Sequence, residues 1–220
     1  MDYMNGLFRW LRDTLWPARC VGCSLVSTDL CAACRHTLPD APAIRILPDG
    51  TRVISGGPIA HPLLAQAIWR MKYRSIRSLA APLACWLADT ILRTPEAARA
   101  IRTTILLVPV PLHHARMRER GYNQAHLLAH ALAGIAAMPC AAEALIRVRH
   151  TASQVETADR NGRIENMREA FDCPDPSVVR GLAILLIDDV CTTGATLQDC
   201  ARTLRAAGAR SVTALTLARG

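Results

Sequence analysis

Two adjacent carboxylates, Asp188 and Asp189, end a run of aliphatic residues and open a short loop of small and hydroxylated ones, in the segment ILLIDDVCTTGAT at 184–196. Acids at the end of a buried strand can accept hydrogen bonds from vicinal sugar hydroxyls, or hold Mg²⁺ through water. The following residues, Val190, Cys191, Thr192, Thr193, Gly194, Ala195 and Thr196, lead into the helical pattern LQDCARTLRAAGA. They would place backbone N–H groups and three hydroxyls at a helix N-terminus, where unpaired donors and the helix dipole favour a phosphate. Acids for a diol beside a cradle for a phosphate describe a sugar-phosphate site. A buried strand with a merely structural turn needs neither the paired acids nor the TTGAT run. Cys191, at a helix N-terminus, is either a thiol of lowered pKa or a small residue packed under the loop.

A second group of ligating residues lies near the N-terminus. CVGCSLVSTDLCAAC, residues 20–34, holds two CxxC pairs, Cys20 with Cys23 and Cys31 with Cys34. Each pair can form a knuckle, and four thiolates close a tetrahedral structural Zn²⁺ site. A redox pair or an iron–sulfur cluster are the alternatives. Nine cysteines, an odd number, argue against a disulfide framework and for a reducing compartment. A cytoplasmic chain is therefore expected. The first seventeen residues mix apolar side chains with Arg and Asp, unlike a signal peptide. No apolar run reaches the length of a membrane span.

These residues need elements to position them. At 220 residues the chain suits one α/β domain with a small appendage. Hydrophobic residues make up 51% and aromatic ones only 4%, so the core must be built from Leu, Ile, Val and Ala. The formal charge is +8, and Lys72 is the only lysine. The arginines suit bidentate contacts with phosphate, weak nucleic-acid binding, or simply a solvated basic surface.

Leu7, Trp10, Leu11 and Leu15 recur at helical spacing before Pro17. The resulting amphipathic helix would pack on the cysteine module; its polar face carries few charges for a membrane surface. Residues 1–40 are thus read as this helix plus the metal module. Residues 41–60 are read as a linker, punctuated by Pro42, Pro48, Pro58, Gly56 and Gly57, with a short strand at 53–54. Residues 61–220 are read as the α/β domain. It opens with helices at 61–71 and 76–92; Lys72, Tyr73 and Arg74 between them reach a phosphate or form a solvated tip. Strands are expected at 104–112, 145–148, 182–187 and 212–217, and helices from 121 and over 195–207. This alternation predicts a parallel sheet.

Ligands of such sheets sit beyond the strand C-termini. The loop after the first strand of the domain would bring Pro109, Val110 and Pro111, followed by Arg116 and Arg120. The polar stretch after 148 would bring Thr151, Gln154, Arg160, Arg163 and Arg168. With the acids and the TTGAT loop they suit transfer at an anomeric carbon: pyrophosphate leaves, Mg²⁺ and Arg neutralise it, and a mobile loop excludes water.

The 184–196 segment resembles the 5-phosphoribosyl-1-pyrophosphate (PRPP) signature of type I phosphoribosyltransferases. VPVPLHHARMRERGYNQA (108–125), RHTASQ and RIENMREAF (within 149–171), LLIDDVCTTGATLQDCARTLRAAGA (185–209) and the four N-terminal cysteines together resemble the ComF family. The resemblance covers nearly the whole chain. It implies a type I phosphoribosyltransferase-like parallel sheet flanked by helices, with a small zinc-ribbon-like module. It also implies a role in natural competence, DNA uptake or DNA utilisation, with single-stranded DNA, a helicase-like protein and recombination mediators as partners. By position it gives Asp188 and Asp189 the ribose and metal role, residues 192–196 the 5-phosphate, and the loop from Pro109 the pyrophosphate.

Two departures weigh against purine salvage. Thr192 stands where hypoxanthine-type enzymes carry an Asp, and the chain's end at Gly220 leaves no expectation of a C-terminal hood. An acceptor pocket would come from residues 20–75; the alternatives are no acceptor pocket, with PRPP bound as an effector, or a vestigial site. The rival reading is a non-catalytic adaptor that binds single-stranded DNA and a helicase.

Overall fold

A strand apolar on both faces must be covered from both sides, and the elements around the acid pair supply that cover. The computed structural model describes residues 17–148 and 170–220. In chain order these form α1 (Ala32–His36), β1 (Ala43–Ile46), β2 (Arg52–Pro58), α2 (Pro62–Tyr73), α3 (Ala80–Arg93), α4 (Pro95–Ile101), β3 (Leu106–Pro109), α5 (His114–Arg120), α6 (Gln124–Ala136), β4 (Ile146–Arg147), β5 (Phe171–Asp172), β6 (Ala183–Cys191), α7 (Ala195–Ala206) and β7 (Ser211–Arg219). Five strands make one sheet in the order β1-β2-β7-β6-β3. β2, β7, β6 and β3 run parallel, and β1 is an antiparallel edge.

β6 and β7 lie at the centre. Leu185 and Ile187 of β6 enter a core shared with α2, α3 and α6. Ile184 and Leu186 enter a second core with Leu197, Cys200 and Leu204 of α7. This is the period-two alternation of a strand read on two buried faces. The α/β class with a parallel sheet is as the sequence predicts, and each strand of the central pair is longer than its aliphatic run.

Residues 41–60 are not a linker. They supply β1 and β2, and β2 hydrogen-bonds to β7 in parallel. The glycines mislead here. A Cβ on Gly56 would stand 2.7 Å from both Leu87 Cδ1 and Trp86 Cη2, so this glycine lets α3 press against the strand rather than turn the chain. The strand read at 145–148 also differs. β4 leaves the main sheet and pairs antiparallel with β5, because Pro139 and Ala141 already bond to Leu107 beside β3. α4 and α5 are helices in stretches to which the sequence reading assigned no element.

The cysteine module is attached to the first core through Cys20, Val21, Leu30 and Leu38. Trp86 of α3 donates its indole N–H to the Pro39 carbonyl at 3.3 Å. The amphipathic helix expected over 5–16 lies outside the described residues. Among the described residues no helix is long and apolar enough to cross a membrane.

Candidate functional site

The acids sit at the C-terminal end of β6, and the strand's alternation sends them to different sides. Asp189 meets α2: Lys72 Nζ lies 2.8 Å from its Oδ1. Asp188 accepts the Asp189 backbone N–H at 2.8 Å and stands in the field of Arg147 from β4. Asp189 is 8% exposed. Burial, then the adjacent Asp189 charge, raises the Asp188 pKa to about 7, against the opposing pull of the Asp189 N–H, Lys72 and Arg147. Such a carboxyl exchanges a proton near neutrality, so it can accept from or donate to a sugar hydroxyl.

The loop after β6 is held from behind. Arg45 of β1 donates through Nη2 to the carbonyls of Thr192 at 3.1 Å and Thr193 at 3.0 Å. Gly194 has φ +85°, and a Cβ there would come within 2.6 Å of Leu47 Cδ2. The positive φ favours glycine, and any side chain there would also have to displace the end of Leu47. α7 begins at Ala195, whose N–H reaches Thr193 Oγ1 at 3.4 Å. Among the described residues the N–H groups of Thr192, Thr193 and Gly194 have no backbone carbonyl partner. Thr192, Thr193 and Thr196 are exposed. Cys191 is buried, and burial pushes its thiol pKa up despite the Arg45 charge. It packs under the loop and is not an activated nucleophile.

The exit of β3 lies beside these acids. Val110 donates its N–H to the Ile187 carbonyl at 2.9 Å, and its own carbonyl accepts from Asn123 Nδ2 at 2.9 Å. Pro109 ends β3 and Pro111 is half-buried next to it. Arg116 is exposed on α5. Arg120 turns toward α2, its guanidinium 5.1 Å over the Tyr73 ring. The α2 corner is fastened there by two further contacts. Tyr122 Oη donates to the Met71 carbonyl, and Arg77 Nη2 donates to the Gly121 carbonyl at 3.2 Å. The candidates Thr151, Gln154, Arg160, Arg163 and Arg168 lie outside the described residues.

Three side chains of this neighbourhood carry weak or no signal in the sequence. Arg45 is one arginine among many, in a stretch read as a linker. Arg147 is half-buried over the Phe171 ring, 5.3 Å from its centroid, and desolvation lowers its pKa. Lys72 stood out as the sole lysine, at a corner read either as reaching a phosphate or as a solvated tip.

The four N-terminal cysteines converge. Their Sγ atoms all lie within 4.8 Å of one another, and Cys23 and Cys31 are 3.7 Å apart. Tetrahedral zinc with Zn–S of about 2.3 Å needs sulfurs about 3.8 Å apart, so the donor set and spacing fit such an ion. Burial raises the Cys20 pKa, but the N–H groups of Cys31, Cys23 and Gly22 outweigh it and bring it down to about 6. Cys34 is pushed up to about 12, first by proton sharing with Cys31 and then by burial. The four thiols can hold a metal ion.

The parallel sheet, the paired acids at a central strand end and the donor-rich loop before a helix define a phosphoribosyltransferase-type α/β protein. Residues 120–220 match the phosphoribosyl transferase domain family. The chain is 32% identical to DNA utilization protein YhgH of Escherichia coli (strain K12), over 91% of this chain and 83% of that protein. It is 34% identical to competence protein F of Haemophilus influenzae, over 58% of this chain and 52% of that protein. It is 41% identical to competence protein ComFC of Bacillus subtilis (strain 168), over 52% of this chain and 44% of that protein. The alignments thus span about half the length of the two competence proteins. The chain belongs to the ComF family of competence and DNA-utilization proteins with a phosphoribosyltransferase-type domain.

Proposed function

We propose that the end of β6 binds PRPP. The observation that carries this reading is that, among the described residues, the N–H groups of Thr192, Thr193 and Gly194 have no backbone carbonyl partner, directly after a half-buried and a buried carboxylate, Asp188 and Asp189. The 5-phosphate takes these donors and the Thr192, Thr193 and Thr196 hydroxyls at the start of α7. The ribose diol donates to Asp188 and Asp189. The pyrophosphate lies toward Pro109, Val110 and Pro111, with Arg116 and Arg120 of α5 supplying positive charge. Asp188 and Asp189 would also hold a Mg²⁺ through water, which screens the leaving pyrophosphate. Buried acids that are kept from bulk water retain their hydrogen-bonding strength toward the sugar. Transfer to an acceptor follows if a nucleophile is presented at C1. On the same reading Cys20, Cys23, Cys31 and Cys34 would hold a structural zinc ion, and a four-thiolate site of this kind suits a reducing compartment such as the cytoplasm.

Calorimetric titration of PRPP with Mg²⁺ into zinc-loaded protein tests this. Wild type is expected to bind, and the Asp188→Asn/Asp189→Asn double variant to lose at least about 1.5 kcal/mol, roughly tenfold, of affinity. Absence of binding to folded wild type overturns the reading.

A second reading, a surface for single-stranded DNA, is favoured by one patch. Trp69 and Tyr73 are 47% and 57% exposed on one face of α2. Their ring centroids are 5.8 Å apart, and Arg74 lies 5.4 Å over Trp69. Exposed rings with arginines between them suit stacked bases and a phosphate backbone. Anisotropy titration of a labelled oligonucleotide should show salt-sensitive binding that Trp69→Ala/Tyr73→Ala weakens about tenfold or more. Equal binding by wild type and variant removes the patch from consideration.

A further inference from the structure

We propose that Lys72 is a ligand-contacting residue of the β6 site, holding Asp189 in the ligand-free protein and donating to the pyrophosphate of PRPP when the sugar hydroxyls take that carboxylate. The proposal rests on the PRPP reading above and adds a residue to it.

Composition gives the first reason. Of the 26 basic side chains other than His, Lys72 alone is a lysine. Its side chain is only 23% exposed, and it lies 2.8 Å from an acid that is 11% exposed. This is not a solvated tip. An ammonium is a compact charge with three rotatable donors, whereas a guanidinium fork would cap both carboxylate oxygens at once. Among the described residues only Asp189 pairs with Lys72, so two N–H bonds remain for another acceptor.

The position is enforced rather than chosen by a flexible side chain. The last turn of α2 is tied down on either side of Lys72, by Tyr122 to the Met71 carbonyl and by Arg120 over Tyr73. Arg77 on Gly121 fixes the following corner. Lys72 therefore belongs to the same corner as the turn after α5, whose Asn123 holds the Val110 carbonyl at the β3 exit.

The choice of pyrophosphate follows from the sheet's two faces. The 5-phosphate loop leads into α7, which packs on one face. α2 packs on the other face, with Leu185 and Ile187. Lys72 reaches Asp189 from there, away from the donors of residues 192–194. The anionic group left for it is the one on C1, on the side of the β3 exit. A pyrophosphate beside two acids also needs a cation at hand, and Lys72 is already in place.

The unique lysine makes the test direct. Acetylation by an N-hydroxysuccinimide ester, read by peptide mass spectrometry, reports on Lys72 with the α-amine as internal reference. PRPP with Mg²⁺ is expected to slow Lys72 acetylation about tenfold or more, and ribose 5-phosphate to leave it unprotected or more reactive, since only the former carries the C1 anion. In calorimetry, Lys72→Met is expected to weaken PRPP about tenfold, the loss of one charge-assisted hydrogen bond, and ribose 5-phosphate by less than about twofold. Binding of PRPP to wild type without protection of Lys72 overturns the proposal and leaves the PRPP reading intact. Equal weakening of both ligands by Lys72→Met also overturns it, because Lys72 then serves the acid pair alone. If neither ligand binds wild type, the PRPP reading fails and this proposal fails with it. Should Lys72→Met not fold, the labelling of wild type decides.

Discussion

The cysteine module and the β6 strand end pose the same electrostatic problem and solve it differently. Each gathers like groups that cannot all ionise side by side. The thiols draw their stabilising donors from backbone N–H groups and share protons, with Cys20 near 6 and Cys34 near 12. The carboxylates instead have a resident cation, Lys72 on Asp189, while burial lets Asp188 keep a proton up to about pH 7. On the proposed reading, the contrast separates a metal site whose ion contributes to folding from a ligand site that carries its own counter-ion. A structural metal site contributes folding energy when loaded. A ligand site has to persist without its ligand, and a built-in counter-ion allows that.

Removing the metal is the strongest way to break this comparison. Chelation, or Cys31→Ser, should lower Tm by about 10 °C, corresponding to roughly 3–4 kcal/mol for a chain of this size. Elemental analysis should give one zinc per wild-type chain and none in the variant. The loss propagates because Cys20, Val21 and Leu30 of the module belong to the same core as α2 and α3. A wild-type protein without zinc that melts as the zinc-loaded one does would show that the thiols need no ion.

The two regions also differ in how far the sequence revealed them. The cysteines were legible because a tetrahedral site needs fixed residue types at short spacing, here all within residues 20–34. β6 and α7 were legible for the same local reason: aliphatic run, acids, small loop and helical pattern are contiguous. What failed was anything decided at long range. β2 was legible only as a short strand at 53–54, because Gly56 makes room for Trp86 and Leu87, residues some thirty positions away. Arg45 reaches Thr192 and Thr193 across the sheet, from a strand the proline punctuation hid. The Lys72–Asp189 pair joins helix α2 to β6, and no periodicity encodes which carboxylate a lone lysine will meet. Residue spacing shows chemistry carried within one element, and only packing shows chemistry shared between elements.

The proton on Asp188 gives a smaller effect that sharpens the contrast. Its pKa in the folded protein is raised above the ordinary carboxylate value. The folded state therefore binds this proton more tightly than the unfolded chain. Its stabilising contribution is complete below about pH 4 and is lost as pH rises through about 7. Asp188→Asn keeps an oxygen for the Asp189 N–H and carries no charge at any pH. The ligand-free variant should be more stable than wild type at pH 8 by about 1–2 kcal/mol, or roughly 3–6 °C in Tm. The difference should vanish toward pH 4. Melting curves across pH 4–8 check it; a variant less stable than wild type at pH 8 would mean that Asp188 is ionised and well compensated when the site is empty.

Arg45 marks the smallest expected change and the one most specific to the loop. It is exposed, so its loss removes little packing. Its two carbonyl contacts orient Thr192 and Thr193 with their N–H groups left over. Arg45→Ala should leave Tm within about 2 °C of wild type. It should weaken ribose 5-phosphate about fivefold, near 1 kcal/mol, the scale of one net hydrogen bond. Arg45→Lys can reach one carbonyl but not both, and should fall between. The readout is affinity rather than stability, which parts it from the thiol variants, whose effect is on folding first. A Tm loss as large as that of Cys31→Ser would make β1 part of the scaffold, not a brace for the phosphate loop. The strand end would then depend on its surroundings as fully as the cysteine module depends on its ion.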